Sequence, residues 1–319
     1  VLDSTSPIDQ AIRELSEYTG ESVDAIRGQM DCSGAALANE WRVKERQTVA
    51  DVDDFYKQTD RYLYNLTRFN YGKMYQGWRG AIKNLCHQVS EAVDGRGFDV
   101  LDYGGGIGTN LIDVADVSGA RLHYTDLPGK TFDYASWRFD RRGISVDMLS
   151  AEGEDPLGDR LFEVIVCTDV IEHLVDPEGV TRYLVDHLNP GGFIVLTVTF
   201  FQGNDGPYHL NCDRHTNESF YELVETMGMT SCSSFSPRVF QKKDKVEKAN
   251  PVAKETQGEG PRFSSPEEID TFLKSWGGPV RMNLGCGSDS KLGYINIDAY
   301  VNNADLKIDI CDLPVPNDS

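Results

Sequence analysis

The 319-residue chain has no apolar run near the roughly 18 residues that cross a bilayer. Its opening, Val1-Leu2-Asp3-Ser4-Thr5-Ser6-Pro7, lacks the basic-then-apolar layout of a secretory signal. No membrane partner is expected. Basic charge is also scarce: 31 Lys and Arg stand against 51 Asp and Glu, a formal net charge of −20. Proteins that hold nucleic acid neutralise phosphates with clustered cations, and the one Lys-rich stretch, 242–248, is broken by acids. That argues against a nucleic-acid partner and against a polyanionic substrate. The seven cysteines (Cys32, Cys86, Cys167, Cys212, Cys232, Cys286, Cys311) are odd in number and include no C-x-x-C pair. They fit reduced thiols in a cytoplasmic protein better than a disulfide or zinc framework. An initiator Met is absent, so a processed or excised chain is expected. Hydrophobic residues at 39%, with 10% aromatics, suffice for a sizeable core.

Residues 99–110, Asp-Val-Leu-Asp-Tyr-Gly-Gly-Gly-Ile-Gly-Thr-Asn, carry the most information. A mostly apolar run from Phe98 to Leu101 meets Asp102, and Gly104, Gly106 and Gly108 follow at alternate positions, with Gly105 between. Such spacing turns a strand sharply into a helix while the backbone approaches a ligand that a Cβ would exclude. The dinucleotide fingerprint needs its third glycine where Thr109 stands, which counts against an NAD-dependent oxidoreductase. Read blandly, the loop is an ordinary strand-to-helix device.

A second strand, Ala120–Thr125, ends at Asp126 and the turn Leu127-Pro128-Gly129. Asp126 lies 24 residues after Asp102, near the spacing of about 20 at which an acid reads a ribose diol. A turn-forming Asp before Pro-Gly is the competing reading. The Val/Ile-rich run 161–167 predicts a strand buried on both faces, followed by Thr168-Asp169-Val170-Ile171-Glu172-His173-Leu174 at its carboxyl end. A helix over 180–188, the turn Asn189-Pro190-Gly191-Gly192 and a strand over 193–200 complete the alternation. The expected fold is α/β: a doubly wound, Rossmann-like, mostly parallel sheet.

With these segments in order, residues 95–235 resemble class I S-adenosylmethionine-dependent methyltransferases of the small-molecule branch. The resemblance rests on 100–110, 124–128, 162–177 and 188–198. It implies S-adenosyl-L-methionine as cofactor, S-adenosyl-L-homocysteine as product, and a small-molecule acceptor methylated on oxygen or nitrogen. Carried onto this chain, the cofactor contacts are Asp102, Tyr103, Gly104, Gly105, Gly106 and Gly108 toward the methionyl part and Asp126 with Leu127 toward the ribose. Glu152, with Glu154 as the other candidate, stands near the adenine, where the family often has Asp, and Thr168 with Asp169 closes the set. A catalytically inactive scaffold for a second methyltransferase unit is the alternative.

The remaining candidates flank this core. Residues 1–90 read as an N-terminal helical lid, with helices over 8–15 and 23–30, a continuation over 41–49, and an aromatic-dense stretch over 51–85. Aromatic faces attract a sulfonium and exclude water; Tyr64 and Tyr71 are assigned to the substrate wall, against the plainer reading of helix packing. The loop 202–217 concentrates Tyr208, His209, Asp213 and His215, although the whole chain has six histidines. His209 is the first choice for a base, His215 the second, with Asp213 beside them, and Tyr208 and His173 are placed at the substrate. A base is needed only if the acceptor carries a proton at neutral pH. Cys212 and Asp213 beside two histidines also suggest a metal, but the loop lacks regular ligand spacing and none is expected. Residues 241–275 read as a linker. Val280–Gly287, Gly293–Asp298 and Asp305–Asp318 then resemble the opening of a second, truncated methyltransferase-like domain over 276–319.

Overall fold

The computed structural model describes residues 6–43, 48–94, 96–153, 155–201, 207–233 and 236–243, with two short strands further on. The chain divides into two compact units, Val1–Val246 and Glu247–Ser319.

In the first unit, helix α1 (Pro7–Thr19) starts where Ser6 accepts from the Asp9 backbone N–H, and it stops at Gly20 in the left-handed region. Helix α2 runs Val23–Val43. The expected continuation over 41–49 is divided: α3 (Val49–Gln58) begins anew because Thr48 and Asp51 form a reciprocal capping box, and residues 44–47 lie outside the described set. Helices α4 (Arg61–Asn70) and α5 (Lys73–Ala92) follow.

Seven strands come next: β1 (Phe98–Tyr103), β2 (Ala120–Asp126), β3 (Val146–Ser150), β4 (Phe162–Thr168), β5 (Leu188–Thr197), β6 (Met229–Ser231) and β7 (Arg238–Lys242). They lie in the order β3-β2-β1-β4-β5-β7-β6. All pairs from β3 to β5 are parallel, and β7 pairs antiparallel with β5. The turn expected at 189–192 instead sits inside β5: Leu188 pairs with Phe162 and Phe193 with Val164, so the extra residues bulge out of the ladder.

Alternation along the strands feeds two cores. Val100, Val164, Val166 and Val195 face α5, α6 (Thr109–Val114) and α7 (Lys130–Arg142). Leu101, Ile165, Cys167 and Leu196 face α8 (Pro177–Asp186) and α9 (Asn217–Thr226). Helix α5 thus forms part of the sheet's own covering layer through Ile82, Leu85, Cys86 and Val89. A third cluster joins Ile12, Leu15, Ile26, Met30, Leu63 and Tyr64 to Ile107 of the glycine turn and Tyr134 of α7. The helical region is therefore bonded to the sheet domain by apolar packing. Beneath that seam Glu14 and Arg138, both fully buried, form an ion pair, and Arg138 also donates to the Ile107 carbonyl, Thr109 Oγ1 and Tyr71 Oη.

Strand order reverses direction between β1 and β4, which marks a crevice at their carboxyl ends as the ligand position in open α/β sheets.

In the second unit, β8 (Met282–Leu284) and β9 (Ile295–Ile297) pair in parallel, Met282 opposite Ile295. They lie within the segments 280–287 and 293–298. The expected linker beyond Lys243 and the segment 305–318 lie outside the described residues.

Candidate active site

The turn after β1 is shaped by its glycines. Gly104 has φ 67°, and a Cβ there would come within 2.5 Å of Val170 Cγ2; Gly106 has φ 54°. Both positions demand glycine because L side chains rarely take this conformation. Asp126, at the end of β2, ties the turn down. Its carboxylate accepts from the Gly106 N–H at 2.8 Å and from its neighbour Leu127 N–H at 2.7 Å, and Tyr124 Oη reaches it at 3.3 Å. Burial pushes its pKa up to about 6, against the lowering effect of those two N–H bonds.

Asp102 is almost wholly buried. Desolvation raises its pKa to about 7; the hydrogen bond from Asn110 Nδ2, at 3.2 Å, lowers it, and the charge of Asp126 adds to the rise. Its second oxygen, Oδ2, has no hydrogen-bond partner among the described residues. A buried acceptor left open in this way suits a cationic or hydrogen-bonding ligand group. Asn110 also reaches Thr168 Oγ1 at 3.4 Å.

At the end of β4, Asp169 sits at φ 53° and is locked by Thr197: its N–H donates to Thr197 Oγ1 at 2.8 Å, and that hydroxyl donates back to Oδ1 at 2.8 Å. The phenol of Tyr75, from α5, donates to Asp169 Oδ2. A strained non-glycine residue held on three sides at a strand terminus is a common sign of a functional position.

These parts open on one cavity of about 350 Å³. Of the residues singled out from sequence, Tyr103, Gly104, Gly105, Gly106, Asp126, Leu127, Thr168, Asp169 and His173 line it. Asp102 and Gly108 support the turn from behind; a Cβ on Gly108 would meet the Phe139 ring at 2.5 Å. Glu152 is turned outward to Lys57 at 2.6 Å, and Ala151 takes its place on the wall.

Tyr64 and Tyr71 are not among the lining residues. Tyr64 is buried in the helical core with its hydroxyl on Glu21 Oε1 at 2.6 Å, and Tyr71 accepts from Arg138. The aromatic wall is built by Tyr56, Tyr62, Tyr75 and Trp78. His215 packs between Phe200 and Phe220 and pairs with Glu178 at 3.2 Å, away from the cavity, and Asp213 is exposed.

His173 and His209 lie ring to ring, with centroids 4.9 Å apart. His173 Nδ1 is 3.3 Å from the Tyr208 carbonyl and His209 Nδ1 is 2.8 Å from the Phe201 carbonyl. A carbonyl only accepts, so Nδ1 carries the proton in each neutral ring and Nε2 is the basic nitrogen. Desolvation, reinforced by His209, lowers the pKa of His173 to about 3, so it is neutral across the physiological range. Glu172, nearly fully buried, is held well above the usual carboxylate range, by desolvation first and by Asp169 second. Glu172, His173 and His209 each place one donor atom within 4.8 Å of the others, a grouping that can hold a metal ion and that the sequence spacing did not assemble. The loop tip 202–206 lies outside the described residues.

Residues 75–230 match the family described as "Methyltransferase domain". A probable S-adenosylmethionine-dependent methyltransferase of Mycolicibacterium smegmatis is 35% identical over 137 residues, which are 41% of this chain and 52% of that protein. A ubiquinone biosynthesis O-methyltransferase of Shewanella sp. (strain ANA-3) is 29% identical over 116 residues, 36% of this chain and 48% of that one. Among solved structures, the CurJ carbon methyltransferase superposes with a TM-score of 0.50 at 14% identity, covering 75% of this chain and 72% of its own. The chain thus spans about half the length of these two curated relatives. The strand order, the glycine turn and the match over residues 75–230 are those of a methyltransferase-type fold. The site residues fit S-adenosylmethionine as a ligand: an open carboxylate oxygen on Asp102, a turn in which an added Cβ on Gly104, Gly105 or Gly106 would strike Val170, Tyr124 or Leu66, and an acid at the end of β2.

Proposed function

We propose that this chain transfers a methyl group from S-adenosylmethionine to an oxygen of a small acceptor molecule. The cofactor supplies an electrophilic methyl on a sulfonium. Gly104–Gly106, Asp102 and Asn110 would hold its amino-acid part, and Asp126 its ribose hydroxyls. The observation that carries the reading is the continuity of one cavity, from Asp126 and the glycine turn to an aromatic wall with His173 on it.

An in-line displacement asks the protein mainly for positioning, worth up to about 7–11 kcal/mol in favourable cases. Tyr56, Tyr62 and Trp78 exclude water and confine a flat or apolar acceptor. His173 lines the cavity and, being neutral, accepts a hydrogen bond from the acceptor's hydroxyl; His209, edge-to-face against it, is the second basic group. Oxygen is favoured over nitrogen by the ubiquinone O-methyltransferase relatives, although these match only part of their length. The resemblance of 276–319 to a second such domain, and a cytoplasmic location, belong to the same proposal. No helix among the described residues is long and apolar enough to cross a membrane.

The test is transfer of labelled methyl to a panel of phenolic, catecholic and amine acceptors. Phenolic or catecholic products support the reading, and His173→Ala and His209→Ala should each keep cofactor affinity while turnover falls about 100-fold. Methylation of amines alone would reverse the oxygen assignment. Binding without transfer to any acceptor would favour the inactive scaffold.

A further inference from the structure

Charge is distributed unevenly along the cavity. Asp53, Asp126, Asp169 and Asp176 line it, and Arg79 is the one permanent cation among the described lining residues. We propose that this imbalance selects the acceptor by charge, with Asp53 and Asp176 setting the preference. Compounds that carry an ammonium as well as their hydroxyl are favoured, neutral ones follow, and those that carry a carboxylate or phosphate are refused. The inference rests on the methyl-transfer reading above and narrows the substrate class of that same site.

The four acids do not share one task. Asp126 accepts from the Gly106 and Leu127 N–H groups, and Asp169 accepts from the Tyr75 phenol and the Thr197 hydroxyl. Asp53 and Asp176 have no part in holding the glycine turn or the end of β4. Asp53 lies on α3, one turn after Val49, and Asp176 follows Val175 directly before α8. Val49 and Val175 line the cavity yet are 55% and 43% exposed, so they mark its rim. The two acids therefore belong to the rim as well. Lys57, one turn further along α3, is held by Glu152 at 2.6 Å and is not a lining residue. Asp176 caps α8 by accepting from the Gly179 N–H at 2.9 Å, which closes that helix end to an anion.

The acceptor wall offers an anion no counter-charge. Arg79 comes from α5, with Nε 3.0 Å from Asp113 Oδ2 and its guanidinium over the Tyr71 ring. The wall itself is built by other elements: Tyr56 of α3, Tyr62 of α4 and His173 after β4. His173 is neutral, since burial holds its pKa down at about 3. The donor's sulfonium answers charge that develops on the reacting oxygen, but a second negative charge elsewhere on the acceptor meets acids. An ammonium meets the reverse: two carboxyl groups at the rim and, within the cavity, the rings of Tyr56 and Tyr62. Charges act through space in a partly buried site, so neither acid has to touch the acceptor in order to rank it. The chain's net charge of −20 works in the same direction during approach.

Three ring-matched catechols isolate the effect. Dopamine, 4-methylcatechol and 3,4-dihydroxyphenylacetate present the same two hydroxyls with a cationic, neutral or anionic tail. The readout is kcat/KM for methyl transfer at one pH. Dopamine should exceed the carboxylate by about 10-fold or more in low salt, with the neutral ring between them. The gap should narrow at about 0.5 M salt, as the rim charges are screened. Asp53→Asn and Asp176→Asn should each cut the dopamine-to-carboxylate ratio by about 3-fold. Asn caps a helix about as well as Asp, so Asp176→Asn keeps α8. A wild-type ratio near one, or a carboxylate preferred to dopamine, overturns the proposal. So does a parallel loss on all three acceptors in both variants, which would make the two acids structural. Transfer to none of the three, with S-adenosylhomocysteine still bound, removes the acceptor reading itself, and the inference with it, before any variant is made.

Discussion

The phenol of Tyr75 donates to the carboxylate of Asp169, joining helix α5 to the strained end of β4, and both residues line the cavity. Burial, the charge of Asp169 and this bond together hold the phenol protonated far above its ordinary range, so Tyr75 is a donor at every accessible pH. Tyr75→Phe removes the bond and keeps the ring. The expected outcome is a loss of about 3- to 10-fold in S-adenosylhomocysteine affinity, with the thermal midpoint nearly unchanged. A large drop in midpoint without loss of affinity would show the bond to be structural instead.

Glycine geometry makes a paired prediction. Gly104→Ala sets a Cβ 2.5 Å from Val170 at φ 67°, whereas Gly143→Ala, at φ 65° after α7, meets nothing within 4 Å. Both variants carry backbone strain of about 1–2 kcal/mol. Gly104→Ala alone should also lose cofactor affinity, by about 10-fold or more, in an equilibrium titration. Equal affinities in the two variants would mean that the turn does not approach the ligand.

The buried pair Glu14–Arg138 ties α1 to α7 and, through Arg138, to the Ile107 carbonyl. Both side chains are fully buried, so Glu14→Gln leaves an uncompensated guanidinium and should cost about 3–5 kcal/mol in a urea unfolding experiment. Arg141 and Arg142, at 3.6 and 2.6 Å, share the same counter-ion, so a cost below about 1 kcal/mol would contradict the role of Glu14 as the buried charge that holds this cluster.

The raised carboxyls set a pH dependence. Asp102 at about 7 and Asp126 at about 6 stand above the ordinary Asp value, so the ligand-free protein binds more protons than the unfolded chain. Their stabilising effect is complete below about pH 4 and is lost as pH rises through 6 and then 7. Cofactor binding has the opposite sign. A bound ammonium favours ionised Asp102, so affinity should rise between about pH 5.5 and 7.5 with release of protons. Calorimetry in buffers of different ionisation enthalpy reads that release, and Asp102→Asn should abolish most of it. A pH-independent affinity would contradict the placement of Asp102 beside a cationic group.

Much of this site was legible in the sequence because its chemistry is local. The glycine turn, Asp126 and the Thr168-Asp169 pair each sit at a strand end, and the strands announce themselves by Val/Ile runs buried on both faces. What stayed illegible depends on long-range packing. β3, β6 and β7 are short and only half-buried, so their patterns are weak. Tyr62 and Tyr64 are the same residue two positions apart, yet helix phase sends one to the cavity wall and the other to Glu21. His215 shares a loop with His209 but is drawn away by Glu178 and two phenylalanines. The nearness of His209 to Glu172 and His173 comes from the loop folding back, with the Leu210 N–H donating to the Glu172 carbonyl at 2.6 Å.

The central claim is that the cavity at the ends of β1, β2 and β4 is a methyl-donor site, and titration with S-adenosylhomocysteine tests it most directly. The account predicts saturable binding near one equivalent in the wild type. In a folded Asp126→Ala variant, which loses the carboxylate that holds Gly106 and Leu127, binding should be weakened at least about 10-fold. No binding to the wild-type chain, or undiminished binding to Asp126→Ala, would contradict it.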